Sequence, residues 1–169
     1  SINEKVLWAN EPYGHYDMTK EVLSKRTATA KTFDKGNGSF VSHISSGPLH
    51  YQENGEWRTI YSSIVPNNSG VYSQYNYANT DNSYKTYYSS DINNLGTITV
   101  FPSGEVLNDM KNMKMYYQKN GQLISAVQNF GNSIPVVNNK EITYSSIYGI
   151  DIDLRLTQTN LKRKMDYII

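Results

Sequence analysis

The chain has 169 residues, of which 38% are hydrophobic and 18% charged, so it fits one folded domain rather than a disordered segment. Its 16 basic and 15 acidic residues leave a net charge of +1, which provides no long-range field to attract nucleic acid or an anionic membrane surface. The absence of cysteine excludes disulfides, thiol catalysis and cysteine-based metal sites.

The amino-acid composition favours β-structure. Fifteen Tyr accompany abundant Thr, Val and Ile, which pack well on pleated surfaces, while Gly, Asn and Ser supply turns. No apolar stretch approaches the roughly 20 residues that cross a bilayer, so we expect no membrane insertion. The first five residues lack the apolar core of a signal peptide.

Residues 1–24 are predicted to form an extended arm that carries Trp8, Tyr13 and Tyr16. Within it, residues 19–23 could form one helical turn with Thr19 as its N-cap, although so short a helix is marginal. The arm is expected to lie across the body of the domain.

Three Asn-Gly pairs predict β-hairpins, because tight hairpin turns need the positive φ angles that Asn and Gly adopt readily. The pairs are Asn37-Gly38, Asn54-Gly55 and Asn120-Gly121. The second hairpin places Trp57 and either Ile60 or Ile64 in reach of the core.

Residues 66–94 lack a regular pattern and are rich in Asn, Ser and Tyr. We expect a long surface loop crossed by one or two irregular strands. Its tyrosines are the candidate contacts for a ligand or partner, since a Tyr side chain offers a stacking face and a hydroxyl; alternatively, they pack on the sheet and simply cover it. They are Tyr72, Tyr75, Tyr77, Tyr84, Tyr87 and Tyr88.

Residues 151–157 alternate strictly, with Ile152, Leu154 and Leu156 on one face, and a turn at residues 159–160 leads into a last apolar strand. Because the chain stops inside that pattern, we expect a truncated polypeptide. About ten short strands with frequent turns predict an all-β fold, an antiparallel sandwich or irregular barrel, with a single domain over residues 25–169.

No catalytic, cofactor-binding or metal-binding residue is assigned. His15, His43 and His50 do not have the i, i+4 spacing of helical zinc sites, and a structural or surface role is expected for each. Asp151 and Asp153 share a strand face with Arg155, and pairing with that cation is expected rather than Ca²⁺ binding.

Two groups of segments resemble an amino-terminal β module of large bacterial surface and secreted proteins, including RHS/YD-repeat and wall-associated types. The first comprises KRTATAKTFD (25–34), GNG (36–38), GPLHY (47–51) and NGEWRTI (54–60); the second is YSSIYGIDIDL (144–154) followed by Leu161-Lys162. Tyr61 stands where the pattern usually has Asp, and Leu154-Arg155 where it usually has an aromatic residue. The Asn- and Tyr-rich composition is similar to that of Bacteroidetes exported proteins. The resemblance implies no catalytic residue.

These features predict a non-catalytic structural or interaction module of a larger protein that is exported or held at the cell surface. Its expected partner is the remainder of its own parent chain or a secretion or surface protein. A carbohydrate-binding or adhesive module that uses residues 72–88 is an alternative, with a glycan as ligand. A phage fibre component and a hydrolase with an unrecognised carboxylate pair are further alternatives.

Overall fold

The computed structural model describes residues 17–125, 133–148 and 151–169. Two compact units share the chain, the first ending at Ile60 and the second beginning at Tyr61. Strands dominate the described residues of both units, and every pairing is antiparallel, which confirms the all-β prediction. The prediction of an arm over residues 1–24 and one domain over residues 25–169 stays a prediction.

Within residues 17–60, the first unit contains two short 3-10 helices and two hairpins. The 3-10 helices are Met18–Lys20 and Leu23–Lys25, and the strands are β1 (Ala30–Gly36), β2 (Ser39–Ile44), β3 (His50–Glu53) and β4 (Glu56–Thr59). β1 pairs with β2 and β3 pairs with β4. Both Asn-Gly pairs in this unit have positive φ angles, so these two predicted hairpins form as expected.

The N-cap of the first 3-10 helix lies two residues earlier than predicted. It is Asp17, not Thr19, because the Asp17 carboxylate accepts hydrogen bonds from the Thr19 N–H at 3.0 Å and from the Thr19 hydroxyl at 2.6 Å. The helix ends at Lys20 because Glu21 becomes extended and forms a β-bridge with Phe33 of β1.

The described residues of the second unit form two larger sheets, in each of which every strand pairs with its neighbours in sequence. The five-stranded sheet comprises β5 (Val65–Pro66), β6 (Tyr77–Asn79), β7 (Lys85–Tyr88), β8 (Thr97–Val100) and β9 (Val106–Asp109). The four-stranded sheet comprises β12 (Val136–Asn138), β13 (Glu141–Tyr144), β14 (Asp153–Gln158) and β15 (Arg163–Ile168). A separate hairpin joins β10 (Tyr116–Lys119) to β11 (Gln122–Ser125), and the short helix α1 (Ile92–Leu95) precedes β8.

The four-stranded sheet carries the largest apolar cluster of the second unit. Leu154 and Leu156 are fully buried, and the predicted alternation of β14 is confirmed. Ile142 and Tyr144 of β13 lie opposite them. Truncation of a buried leucine of this kind to Ala typically costs about 2–5 kcal/mol, so these side chains anchor the sheet.

Residues 66–94 are more ordered than their composition predicts. β6, β7 and α1 lie in this stretch, and four of its tyrosines are buried. The expectation of a long surface loop is therefore wrong, although the expectation of one or two strands within it holds. The tyrosines replace aliphatic residues in the core, and this is why the hydrophobic pattern is hard to see in the sequence.

Candidate functional site

The six tyrosines singled out from the sequence lie mostly in the interior of the second unit. Tyr75, Tyr84, Tyr87 and Tyr88 are buried, whereas Tyr72 and Tyr77 are half-buried. The ring of Tyr72 packs against Tyr87 at 4.9 Å and against the edge of Tyr75 at 6.3 Å between centroids. Tyr72 therefore contacts both neighbouring rings, and the burial of the other tyrosines favours the alternative that they pack on the sheet.

The hydroxyls of the buried tyrosines are used inside the protein. Tyr84 donates to the Thr159 carbonyl at 2.6 Å, and Tyr75 donates to the Leu95 carbonyl at 2.9 Å. Burial raises the pKa of Tyr84 to about 12, so this phenol stays protonated at any physiological pH. Such hydroxyls link segments that are distant in sequence and are not displayed to a ligand.

A buried glutamine connects the two sheets of the second unit. The Gln158 side-chain carbonyl at the end of β14 accepts hydrogen bonds from the Tyr88 hydroxyl at 2.7 Å and the Thr86 hydroxyl at 3.0 Å, both from β7. Burial raises the pKa of Tyr88 to about 12. Because all three side chains are fully buried, this network fixes the position of β14 against β7.

A second polar link joins the same two sheets at the start of β15. The Arg163 guanidinium donates to the Asp109 carboxylate at the end of β9 and to the Thr97 hydroxyl of β8. The Thr97 hydroxyl in turn donates to Asp109. Arg163 therefore belongs to a structural clamp, and Asp109 offsets its charge.

An open groove of about 350 Å³ lies beside this clamp. Its apolar lining comes from Tyr84, Phe101, Pro102 and Leu161, and its polar lining from Ser83, Thr99, Lys162 and Arg163. The groove is at the small end of the size range of ligand sites, which are typically concave and mostly apolar with a few polar groups. Sequence reasoning missed it, since its residues come from three separate segments; only the basic run at residues 162–164 gave a local signal.

β15 forms one edge of the four-stranded sheet. β15 is the last strand of its sheet, and no strand among the described residues pairs with its other side. Met165 and Tyr167 lie opposite the fully buried Leu156 and Leu154, so they share the core-side face of the sheet, yet they are 48% and 38% exposed. The core-side face is therefore covered at β14 and only partly covered at β15.

In the first unit, a buried ion pair ties the second 3-10 helix to the strands. The Arg26 guanidinium donates to the Glu21 carboxylate at 2.7 and 2.8 Å, and also to the Trp57 carbonyl of β4 at 3.1 Å. Burial alone would raise the pKa of Glu21, but the Arg26 hydrogen bonds and the nearby charges of Lys31 and Arg26 outweigh it and hold that pKa below its ordinary value. The pair is bidentate and charge-assisted, which is the strongest class of side-chain hydrogen bond.

His50 lies close to this ion pair and is buried. Its Nδ1 lies 2.6 Å from the Thr27 carbonyl, which can only accept, so Nδ1 carries the proton and the neutral ring leaves Nε2 as an acceptor. Nε2 finds no hydrogen-bond partner among the described residues. Burial lowers the pKa of His50, and the positive charges of Lys31 and Arg26 add to that effect.

The other sequence candidates have ordinary surroundings. His43 is buried on β2, and His15 lies outside the described residues. Asp153 accepts a hydrogen bond from the Ser146 N–H. The sequence predicted that Arg155 pairs with an aspartate of its own strand, but its guanidinium lies 3.8 Å from the carboxylate of Asp166 on β15 instead. Within the described part of the chain, His, Asp and Glu do not gather into a group of three that could hold a metal.

Comparison of the sequence with protein-family models and with curated proteins, and of the fold with solved structures, finds no match. Among residues 17–125, 133–148 and 151–169, no helix has the length and apolar character needed to cross a membrane.

Proposed function

We propose that this chain is a non-catalytic structural and interaction module of a larger exported or cell-surface bacterial protein. Its binding surface is the outer edge of β15, and its partner is a β-strand, supplied by another part of the parent protein or by a secretion or surface protein. The observation that carries the proposal is the open edge of β15, with Met165 and Tyr167 half-exposed on the core side of the sheet.

An added strand would contact both the backbone and the exposed side chains of β15. It would pair with the unused backbone N–H and C=O groups of β15, and its own apolar side chains would cover Met165 and Tyr167. β15 spans six residues, whereas the other edge strands of the two larger sheets, β5, β9 and β12, span two, four and three. A longer edge offers more backbone groups to a partner strand, and a Pro at the end of β5 protects that edge instead.

The buried polar side chains of the fold favour a structural role over a catalytic one. Its buried hydrogen-bonding groups connect strands to one another, as Gln158, Arg163 and the Glu21–Arg26 pair do. A catalytic carboxylate or imidazole has to face a substrate. Glu21 faces Arg26 instead, and the protonated nitrogen of His50 faces a backbone carbonyl.

The resemblance to bacterial surface modules supports the exported setting. The motif residues that it rests on occupy turns and strands of this fold: Asn54-Gly55 closes the β3–β4 hairpin, and His50 begins β3.

Site-specific photo-crosslinking in the producing bacterium tests the proposal. Tyr167 is replaced with the photoreactive amino acid p-benzoylphenylalanine, which keeps an aromatic side chain at the open edge. A partner strand paired with β15 would lie about 4.8 Å away, within reach of that group. The matched control places the same amino acid at Tyr117, which is 53% exposed on the separate β10–β11 hairpin.

The expected result is a cross-link at Tyr167 that exceeds the one at Tyr117, recovered from the cell surface or the medium. Mass spectrometry then identifies the cross-linked strand and its parent. Equal yields at the two positions would refute the β15 edge as the docking surface. Recovery of the chain from the cytoplasm alone would refute the exported setting.

A further inference from the structure

We propose that the groove lined by Tyr84, Phe101 and Lys162 binds a small acidic saccharide, one or two sugar rings that carry a carboxylate. This activity is separate from strand docking at β15 and does not depend on it. The groove differs from the tyrosine-rich surface suggested by the sequence, since Tyr84 is the only one of those six tyrosines in its lining.

The apolar wall suits the C–H face of a sugar ring. Phe101 is 38% exposed, so a large part of its ring is open to a ligand, and Pro102 lies next to it. The turn that carries Phe101 is fixed by two backbone hydrogen bonds, from the Phe101 N–H to the Glu105 carbonyl and from the Gly104 N–H to the Phe101 carbonyl, each 2.9 Å. A platform held in this way loses little freedom on binding.

The lining also provides polar groups. Thr99 and Ser83 bring hydroxyls to the groove, and these can both donate to and accept from sugar hydroxyls. Tyr84 presents its ring, because its own hydroxyl already donates to the Thr159 carbonyl. The groove therefore combines one exposed aromatic face with neutral hydroxyls.

The charge of the lining favours an anionic ligand. Lys162 and Arg163 contribute two cations, and none of the lining residues is acidic. Asp109 already offsets Arg163, so Lys162 is the cation that meets the ligand carboxylate. The backbone of Lys162 is held in place, since its N–H donates to the Thr159 hydroxyl at 3.0 Å and its carbonyl accepts from the Thr159 N–H at 2.9 Å.

The strand order disfavours an extended peptide in this groove. Thr99 lies on β8, which pairs with β7 on one side and β9 on the other, so its backbone groups are already used. A peptide bound here could not extend the sheet and would rely on side-chain contacts alone. A compact ligand with its own hydroxyls and one carboxylate matches the lining better.

Titration of the intact chain with glucuronic acid and its β-linked disaccharides, followed by NMR or calorimetry, tests this inference. Glucose and β-linked glucose disaccharides serve as neutral ligands. A short Asp-containing peptide tests whether the groove binds an acidic peptide instead of a saccharide. The variants are Phe101→Ala, which removes the platform, and Lys162→Ala, which removes the cation. The controls are Lys164→Ala, the neighbouring cation outside the groove, and Leu123→Ala, an exposed apolar residue on β11.

We expect the acidic sugar to bind more tightly than the neutral one. Phe101→Ala should weaken binding by about tenfold, as expected for loss of an aromatic stacking face. Lys162→Ala should weaken it by about two- to fivefold and remove the preference for acidic over neutral sugar, as for an exposed ion pair. Equal affinity for acidic and neutral sugars, tighter binding of the peptide, or no saturable binding at all would overturn the inference.

Discussion

The buried ion pair between Glu21 and Arg26 allows a quantitative test of how the first unit is held together. Their side chains are only 4% and 10% exposed, and two hydrogen bonds join them at 2.7 and 2.8 Å. Arg26→Met removes the cation and leaves the carboxylate buried without it. Breaking a buried pair by removing one partner typically costs about 3–5 kcal/mol, which is a large share of the 5–15 kcal/mol that stabilises an ordinary domain.

Urea unfolding monitored by Trp57 fluorescence measures this cost. A Trp8→Phe background makes Trp57 the only tryptophan, and its carbonyl accepts directly from Arg26. With an m value of about 1–2 kcal/mol per M for so small a unit, Arg26→Met should lower the midpoint by about 1.5 M or more. The double variant Glu21→Leu/Arg26→Met should recover at least half of the loss, because two apolar side chains of similar size need no charge partner.

An exposed pair in the same unit provides the control. Arg58 and Glu56 of β4 lie 3.2 Å apart, but their side chains are mostly exposed. Arg58→Met should therefore change the free energy of unfolding by less than about 1 kcal/mol. If Arg26→Met cost no more than Arg58→Met, the Glu21–Arg26 pair would be screened by solvent and our account of the first unit would be wrong.

Three further predictions concern pH, a buried hydroxyl and a backbone position. Because the pKa of His50 is lower in the folded state, the unfolded chain takes up a proton first as pH falls below about 6.5. The free energy of unfolding should therefore decrease from pH 7 to pH 5. His50→Gln should flatten that pH profile. Tyr88→Phe should lower the free energy of unfolding by about 1 kcal/mol in urea titrations, since it removes one hydrogen bond to Gln158; an unchanged value would contradict that role. Gly96→Ala should destabilise the second unit by at least about 2 kcal/mol in urea titrations, because a Cβ there would overlap the backbone carbonyl oxygen of Asp109 and the φ angle is +65°. Gly55→Ala, with open space around it, should cost about 1 kcal/mol.

The turns and the regular strands were predictable from the sequence because their signals are local. All three Asn-Gly pairs have the positive φ angles of hairpin turns, and the alternation of residues 151–157 identifies the buried face of β14. The ordered core within residues 66–94 was not predictable in the same way. There Tyr75 and Tyr88 lie in the core, and segments far along the chain accept their hydroxyl hydrogen bonds.

The candidate sites depend on contacts between segments that are far apart in sequence. Phe101 and Lys162 line one groove although about sixty residues separate them, and the sequence contains no local pattern that joins them. The opposite case is Asp153, whose position on the outer face of β14 was foreseen, but whose partner, the Ser146 N–H, was not. Periodicity shows which way a side chain points, and only the tertiary fold shows what it meets.

Hydrogen–deuterium exchange of β15 tests the central claim, that its outer edge receives a strand. In the isolated chain, alternate amides between Arg163 and Ile168 point away from β14 and should exchange rapidly. In the complex captured through the Tyr167 cross-link, the same amides should become strongly protected while those of the β10–β11 hairpin stay unchanged. Protection already present in the isolated chain, or none gained in the complex, would contradict the claim.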